Sequence, residues 1–251
     1  MHDAPDGLAV EEPERGLSHR LDASGTRAGF ECVDPGRLPV AERAAPFRLI
    51  LQRGLRARGA HLLHAAAVGV SGKGAVLLVA PSGGGKSNTF LSCLTASSLE
   101  LLGEDFVAVD EAAPARVWSL YSSAKLHPAD LARFPALAAD VRPGRDERDD
   151  KVYFDLNRSH AGRFADGLPL RAILVLKITG TPGSAIVTTA PGEAAKAMLT
   201  SLLMVLPSAR RPLFEFIARL AQRIPVYRLE LGTESRQIAG TIEAFLNSRT
   251  P

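Results

Sequence analysis

Cysteine is nearly missing from this chain of 251 residues: Cys32 and Cys93 stand far apart, with no CxxC pair and no histidine pair beside either. That rules out a disulfide framework and a thiolate zinc site, and makes a reducing cytoplasm the expected setting. Long apolar runs are missing as well. No stretch approaches the roughly 18 residues of a membrane span. The opening Met1-His2-Asp3-Ala4-Pro5 has no basic region leading into an apolar one, so neither membrane insertion nor secretion is expected. Aromatic residues make up only 6% and nowhere interleave with a run of Arg or Lys, which speaks against a nucleic-acid partner. Nothing resembles LSGGQ, so the composite site of an ABC-type ATPase is not expected, and no internal repeat is visible.

What is present is a globular composition, 46% hydrophobic and 23% charged, sufficient for one sizeable core. The net charge of +3 is uneven: residues 1–40 hold eight acids against four bases, and the remainder nineteen against twenty-six. A basic body suits an anionic ligand such as a nucleotide or an acidic peptide, and equally a solvated face. Residues 1–44 are rich in Pro, Gly and acids with little periodicity, and are expected to form an N-terminal arm or small cap on a main domain spanning 45–251.

Within that domain a helix is predicted from Phe47 to near Gly59, then a hairpin of two buried strands, 62–70 and 74–80, turning at Val70-Ser71-Gly72-Lys73. A helix follows at 87–94. Short strands follow at 100–102 and 106–110, broken by Gly103-Glu104-Asp105, and another at 116–120. Residues 141–151 alternate acids and bases around Pro143-Gly144, as in a mobile loop or lid. A second hairpin is predicted from 171–178 and 184–189, with helices at 193–206, 211–223 and 234–247 and a strand at 226–231. Strands joined by both hairpins and helices imply a mixed α/β sheet.

The chemistry centres on Val76-Leu77-Leu78-Val79-Ala80-Pro81-Ser82-Gly83-Gly84-Gly85-Lys86-Ser87: apolar strand, glycine-rich turn, helix start. Backbone N–H groups from Ser82, Gly83, Gly84, Gly85, Lys86, Ser87 and Asn88 can curl around phosphate oxygens, aided by the helix N-terminus. Lys86 would reach the β and γ phosphates, and the Ser87 hydroxyl would ligate Mg2+. The pattern GxxxxGK[ST] is met except at its first glycine, where Ala80 stands. Eighteen residues beyond Lys86, Glu104-Asp105 offers the metal-holding acid such a loop needs. With both acids at the site, one would hold the ion and its neighbour accept a proton from an attacking hydroxyl. Gly-Glu-Asp is also an ordinary turn, and His64 alone is as readily a hydrogen-bonded strand histidine.

The segments Leu63-His64-Ala65-Ala66-Ala67-Val68, Gly74 through Ser87, and Leu101-Leu102-Gly103-Glu104-Asp105-Phe106-Val107 resemble the catalytic domain of the bacterial HPr kinases. Their P-loop fold is akin to that of phosphoenolpyruvate carboxykinase, and they phosphorylate a protein serine. The resemblance implies that His64 lies near the phosphates and that Glu104, in place of the first of two aspartates, is the base, with Asp105 on the metal. Asn88 stands where Thr or Glu often follows the loop serine. Ser123-Ala124-Lys125-Leu126, Lys151-Val152-Tyr153-Phe154 and Val226 through Gly232 look like segments of shorter, stand-alone relatives, some of which phosphorylate a serine of ribosomally made precursors such as lasso peptides. By that analogy Lys125 and Lys151 neutralise phosphate or substrate charge, although solvated surface lysines are an equal expectation. The large N-terminal domain of full HPr kinases has no counterpart here. Family members can form closed oligomers, so a homo-oligomer is compatible with the sequence.

The expectation is thus an ATP- and Mg2+-dependent serine kinase acting on a peptide or small protein. The alternatives are a metabolite or sugar kinase, and a nucleotide-sensing protein without turnover.

Overall fold

Gly74-Ala75-Val76-Leu77-Leu78-Val79 is apolar at every position, and a strand built from it has to be covered on both faces. In the computed structural model, which describes residues 2–4, 7–142, 151–205 and 210–248, all six residues are buried. Leu77 and Val79 join Ile173 and Val175 in one hydrophobic cluster. Val76 and Leu78 join Leu174 and Leu176 in another.

The chain opens with β1 (His2–Ala4), β2 (Gly7–Glu12), β3 (Leu17–Asp22) and β4 (Ala28–Cys32), then α1 (Val40–Ala44) and α2 (Arg48–Arg56). There follow β5 (Ala60–Leu63), β6 (Ala66–Val70), β7 (Gly74–Val79), α3 (Lys86–Ala96), β8 (Glu100–Gly103), β9 (Val107–Asp110) and β10 (Arg116–Trp118). The second half holds β11 (Ser123–Leu126), β12 (Val141–Arg142), β13 (Val152–Asp155), α4 (Asn157–His160), β14 (Gly167–Ile178) and β15 (Ala185–Thr188). It ends with α5 (Pro191–Val205), α6 (Arg210–Arg223), β16 (Val226–Leu231) and α7 (Ser235–Ser248).

The central sheet runs β5-β9-β10-β14-β7-β6-β8, with β16 on β14 and β15 on β16. It is mixed, as expected from the sequence: β14 lies parallel to β7 and β16, and its other pairs are antiparallel. The cluster on one face draws on α2, α5 and α6 through residues such as Leu49, Leu202 and Ile217. The other draws on α3 and α7. Ile238, Ala239, Ile242 and Leu246 recur at helical spacing and are buried, which is why α7 docks with one face.

Two sequence expectations are corrected. Residues 62–70 are two strands, not one: the chain breaks at His64-Ala65, and β5 pairs β9 while β6 pairs β7 and β8. The hairpin of 171–178 with 184–189 does not form, because β16 inserts between the two strands. In the segment expected to be an arm or small cap, β1 to β4 make a four-stranded antiparallel sheet whose Val10 and Leu21 belong to the main core. Finally, β11, β13 and β12 form a third sheet. Apart from Val141, Arg142 and Lys151, the expected lid at 141–151 lies outside the described residues. No helix among the described residues is long and apolar enough to cross a membrane.

Candidate active site

Two breaks in the central sheet fall side by side. The run β5-β6 parts at His64-Ala65 and the run β8-β9 parts at Glu104-Asp105-Phe106, while β5 pairs with β9 and β6 with β8. Diverging pairs therefore bring His64 against the acids. His64 Nε2 lies 2.7 Å from Asp105 Oδ1, and the imidazole stacks on Phe106 with ring centroids 5.1 Å apart.

The phosphate loop leaves the C-terminal end of β7, the usual place for a ligand on parallel strands, and delivers α3. Its glycines have physical reasons. Gly85 has φ 92, a left-handed conformation that costs other residues strain. A Cβ on Gly84 would lie 2.6 Å from the Ala80 methyl, so the alanine at the pattern's first glycine is accommodated by the glycine opposite. Pro81, Ser82 and Gly83 are exposed. Lys86 is buried and its Nζ donates to Ala80 O at 2.8 Å, Pro81 O at 3.4 Å and Ser201 Oγ at 3.5 Å. Burial lowers its pKa, opposed by the charges of Asp105 and Glu104. The buried Asn88 Oδ1 has no hydrogen-bond partner.

The two acids face different ways. Glu104, 2% exposed, accepts a hydrogen bond from Ser87 Oγ and one from the Lys125 N–H at 3.2 Å. Burial, and then the charge of Asp105, push its carboxyl up to about 7. Asp105 fronts the cleft, with Lys125 Nζ 2.8 Å from Oδ2. Burial pushes this carboxyl up too, but the Lys125 ammonium and His64 outweigh it and hold it well below the usual carboxylate range.

One cavity of about 1150 Å3 joins these groups. Loop residues 82–88, His64, Asp105, Lys125 and Lys151 line it, and across it lie residues 9–12 of β2 with Arg15 and Arg48. Every candidate residue from the sequence lines this cavity except Glu104, which sits behind Ser87. Lys125 and Lys151 belong to the cleft rather than to a remote surface. Pairing of β11 with β13 sets Lys125 in place.

One residue was missed. Ser201 in α5 is 1% exposed, and its Oγ lies 2.7 Å from His64 Nδ1. With Asp105 on Nε2, both imidazole nitrogens are held. The signal was available: Ala194, Ala197, Met198, Ser201 and Leu202 fall on one helical face, and Ser201 is its polar member.

The donor set suits a nucleoside triphosphate with Mg2+. A hard cation takes oxygen ligands; the Ser87 hydroxyl meets the Glu104 carboxylate, and Ser87 and Asp105 line the same cavity. The loop amides and Lys86 supply donors and positive charge for phosphate.

No family model matches this chain, and no curated protein matches it. Among solved structures, the Hpr(Ser) kinase/phosphatase from Coxiella burnetii matches over 75% of this chain and 97% of that one, with a TM-score of 0.38 and 9% sequence identity. A likeness at that level adds no weight to the site, whose reading rests on the contacts above.

Proposed function

We propose that the protein is an ATP- and Mg2+-dependent phosphotransferase that phosphorylates a serine of a peptide or small protein. The observation carrying this reading is the placement of Asp105, held by His64 and Lys125, on the wall of the same cavity as the phosphate loop. A protein that only binds nucleotide needs the loop. It has no need of a fixed, ionised carboxylate facing the place where a terminal phosphate would lie.

In this reading the loop N–H groups and Lys86 hold the phosphates, and Lys151 adds positive charge. Ser87 and Glu104 hold the metal ion, which when bound neutralises phosphate charge. Asp105 accepts the hydrogen bond of the acceptor hydroxyl and takes its proton, while His64 and Lys125 fix its orientation. The roles of the two acids are thus exchanged relative to the sequence expectation, because Glu104 is turned onto Ser87 and away from the cleft. A base with a depressed pKa is adequate here, since phosphoryl transfer depends on positioning and charge neutralisation more than on proton abstraction.

A cavity of about 1150 Å3 is larger than the roughly 300–1,000 Å3 of ordinary small-molecule pockets. It leaves room for an acceptor segment between the loop and β2, which favours a peptide over a metabolite. The resemblance of the sequence to stand-alone kinases extends the proposal to ribosomally made precursor peptides and a cytoplasmic setting.

Incubation with γ-32P-labelled ATP, Mg2+ and a library of serine-containing peptides tests it. Transfer to serine is expected in the wild type, and Lys86→Ala should lower it by at least about a hundredfold with the circular dichroism spectrum kept. Undiminished labelling by Lys86→Ala would overturn the assignment, and ATP binding with no transfer to any acceptor would make the protein a nucleotide sensor instead.

A further inference from the structure

A second convergence of ligand-type side chains lies in the N-terminal sheet, outside the groups assigned above. Glu12 at the end of β2, His19 in β3 and Glu42 in α1 each offer one ligand atom, and these atoms lie within 4.8 Å of one another. His19 is 0% exposed, and neither of its ring nitrogens has a hydrogen-bond partner. Its Nε2 lies 3.6 Å from Glu12 Oε1, beyond hydrogen-bond reach. A tilted contact with Phe30, ring centroids 5.0 Å apart, holds the imidazole in place. A fully buried imidazole without partners is rare enough to need a reason.

The two carboxylates add to the case. Glu42 is 2% exposed and is contacted by the Arg48 guanidinium. Glu12 accepts a hydrogen bond from Arg15 at 3.0 Å. Each acid is therefore steadied by one arginine and has a further oxygen to give, as metal-ligating carboxylates are commonly supported from outside.

We propose that Glu12, His19 and Glu42 bind a divalent transition-metal ion of borderline softness, with Zn2+ as the reference ion. The imidazole sets the choice: Mg2+ and Ca2+ take oxygen ligands, whereas a mixed nitrogen and carboxylate set suits Zn2+ and its neighbours. Three protein ligands leave a coordination position for water. The ligands come from β2, β3 and α1, so the ion ties the N-terminal sheet to the segment leading into α2. Glu12 and Arg48 also line the large cleft, and the ion would fix the wall opposite the phosphate loop. This inference does not depend on the chemistry proposed for that loop.

Equilibrium dialysis of the nucleotide-free, full-length protein against Zn2+, followed by metal analysis, tests it. About one Zn2+ per chain is expected, retained in Asp105→Asn and in excess Mg2+, and weakened by at least about tenfold in His19→Gln and Glu12→Gln. Zn2+ should raise the Tm of the wild type and of Asp105→Asn but not of the two ligand variants. Should His19→Gln misfold, the partly exposed Glu12 provides the variant that keeps its circular dichroism spectrum. Absence of stoichiometric Zn2+ in the wild type would overturn the proposal and leave His19 as a structural residue packed against Phe30. Zn2+ lost in Asp105→Asn but kept in His19→Gln and Glu12→Gln would also overturn it, placing the ion at the phosphate loop.

Discussion

Two neighbouring carboxylates, Asp105 on the wall of the phosphate-loop cleft and Glu104 behind Ser87, sit in opposite electrostatic settings. On the Ser87 side, Glu104 accepts from a hydroxyl and a backbone N–H, and burial with the adjacent Asp105 charge raises its carboxyl to about 7 against the opposing charge of Lys125. On the His64 side, Asp105 suffers the same burial, but Lys125 and His64 depress it well below the usual range. Burial alone does not decide ionisation; the neighbouring charge and hydrogen-bond donors do. Asp105 is matched by the Lys125 ammonium, whereas Glu104 is the acid proposed to hold the metal ion.

The largest expected effect separates the two acids. Asp105→Asn should slow phosphoryl transfer by about a thousandfold, within the range for loss of a general base, with nucleotide affinity changed only a fewfold. Glu104→Gln should instead weaken Mg2+ binding in the nucleotide complex by about 10–100-fold, measured as the Mg2+ concentration for half-maximal transfer. Near-normal transfer by Asp105→Asn, with Glu104→Gln inactive at saturating Mg2+, would restore the roles expected from the sequence.

The loop side was legible in the sequence and the His64 side only in part, for a reason of distance. Strand, turn and helix start of the loop are contiguous, and Gly84 and Lys86 act on near neighbours while Gly85 is needed for its own positive φ. The break at Gly103-Glu104-Asp105 was visible because glycine and acids interrupt an apolar run. That at His64-Ala65 was not: Leu62 through Val70 reads as one strand, and only the divergence of β9 from β8 parts it. The same limit explains the failed hairpin after β14. Gly180-Thr181-Pro182-Gly183 carries good turn chemistry, but no local signal announces that β16, nearly fifty residues on from Ile178, will slide between the arms. Local patterns supply elements, and pairing across the chain decides which of them meet.

A smaller effect concerns stability. For Glu104 the folded state holds the proton more tightly than the unfolded chain. Its contribution is therefore whole below the ordinary value of 4.5 and is lost as pH rises through about 7. For Asp105 the contribution is present above its ordinary value of 3.8 and is lost only as pH falls toward the depressed one. Between these windows Glu104 dominates, and metal-free protein should lose up to about 3 kcal/mol from pH 4.5 to pH 7 through this group, seen as a falling urea midpoint. Glu104→Gln should flatten that decline. Asp105→Asn should move it to lower pH without abolishing it, because burial remains the larger cause.

The smallest effect tests whether the His64 side is a relay of fixed groups or a loose ion pair. Ser201 Oγ and Asp105 Oδ1 lie 2.7 Å from the two nitrogens of His64. With Nε2–H donating to Asp105, Nδ1 accepts from the serine hydroxyl, and this pair of contacts fixes both tautomer and ring angle. Ser201→Ala removes one of them in a buried site where no large void is left. Transfer should fall by about tenfold, as for loss of a supporting hydrogen bond, while the KM for ATP stays unchanged and Ser201→Thr, which keeps a hydroxyl, recovers most of the rate. A rise in KM without a fall in kcat would instead assign Ser201 to Lys86, which it also meets at 3.5 Å, and so to holding the phosphate rather than the base. The kcat against KM split therefore decides which side of the cleft the serine serves.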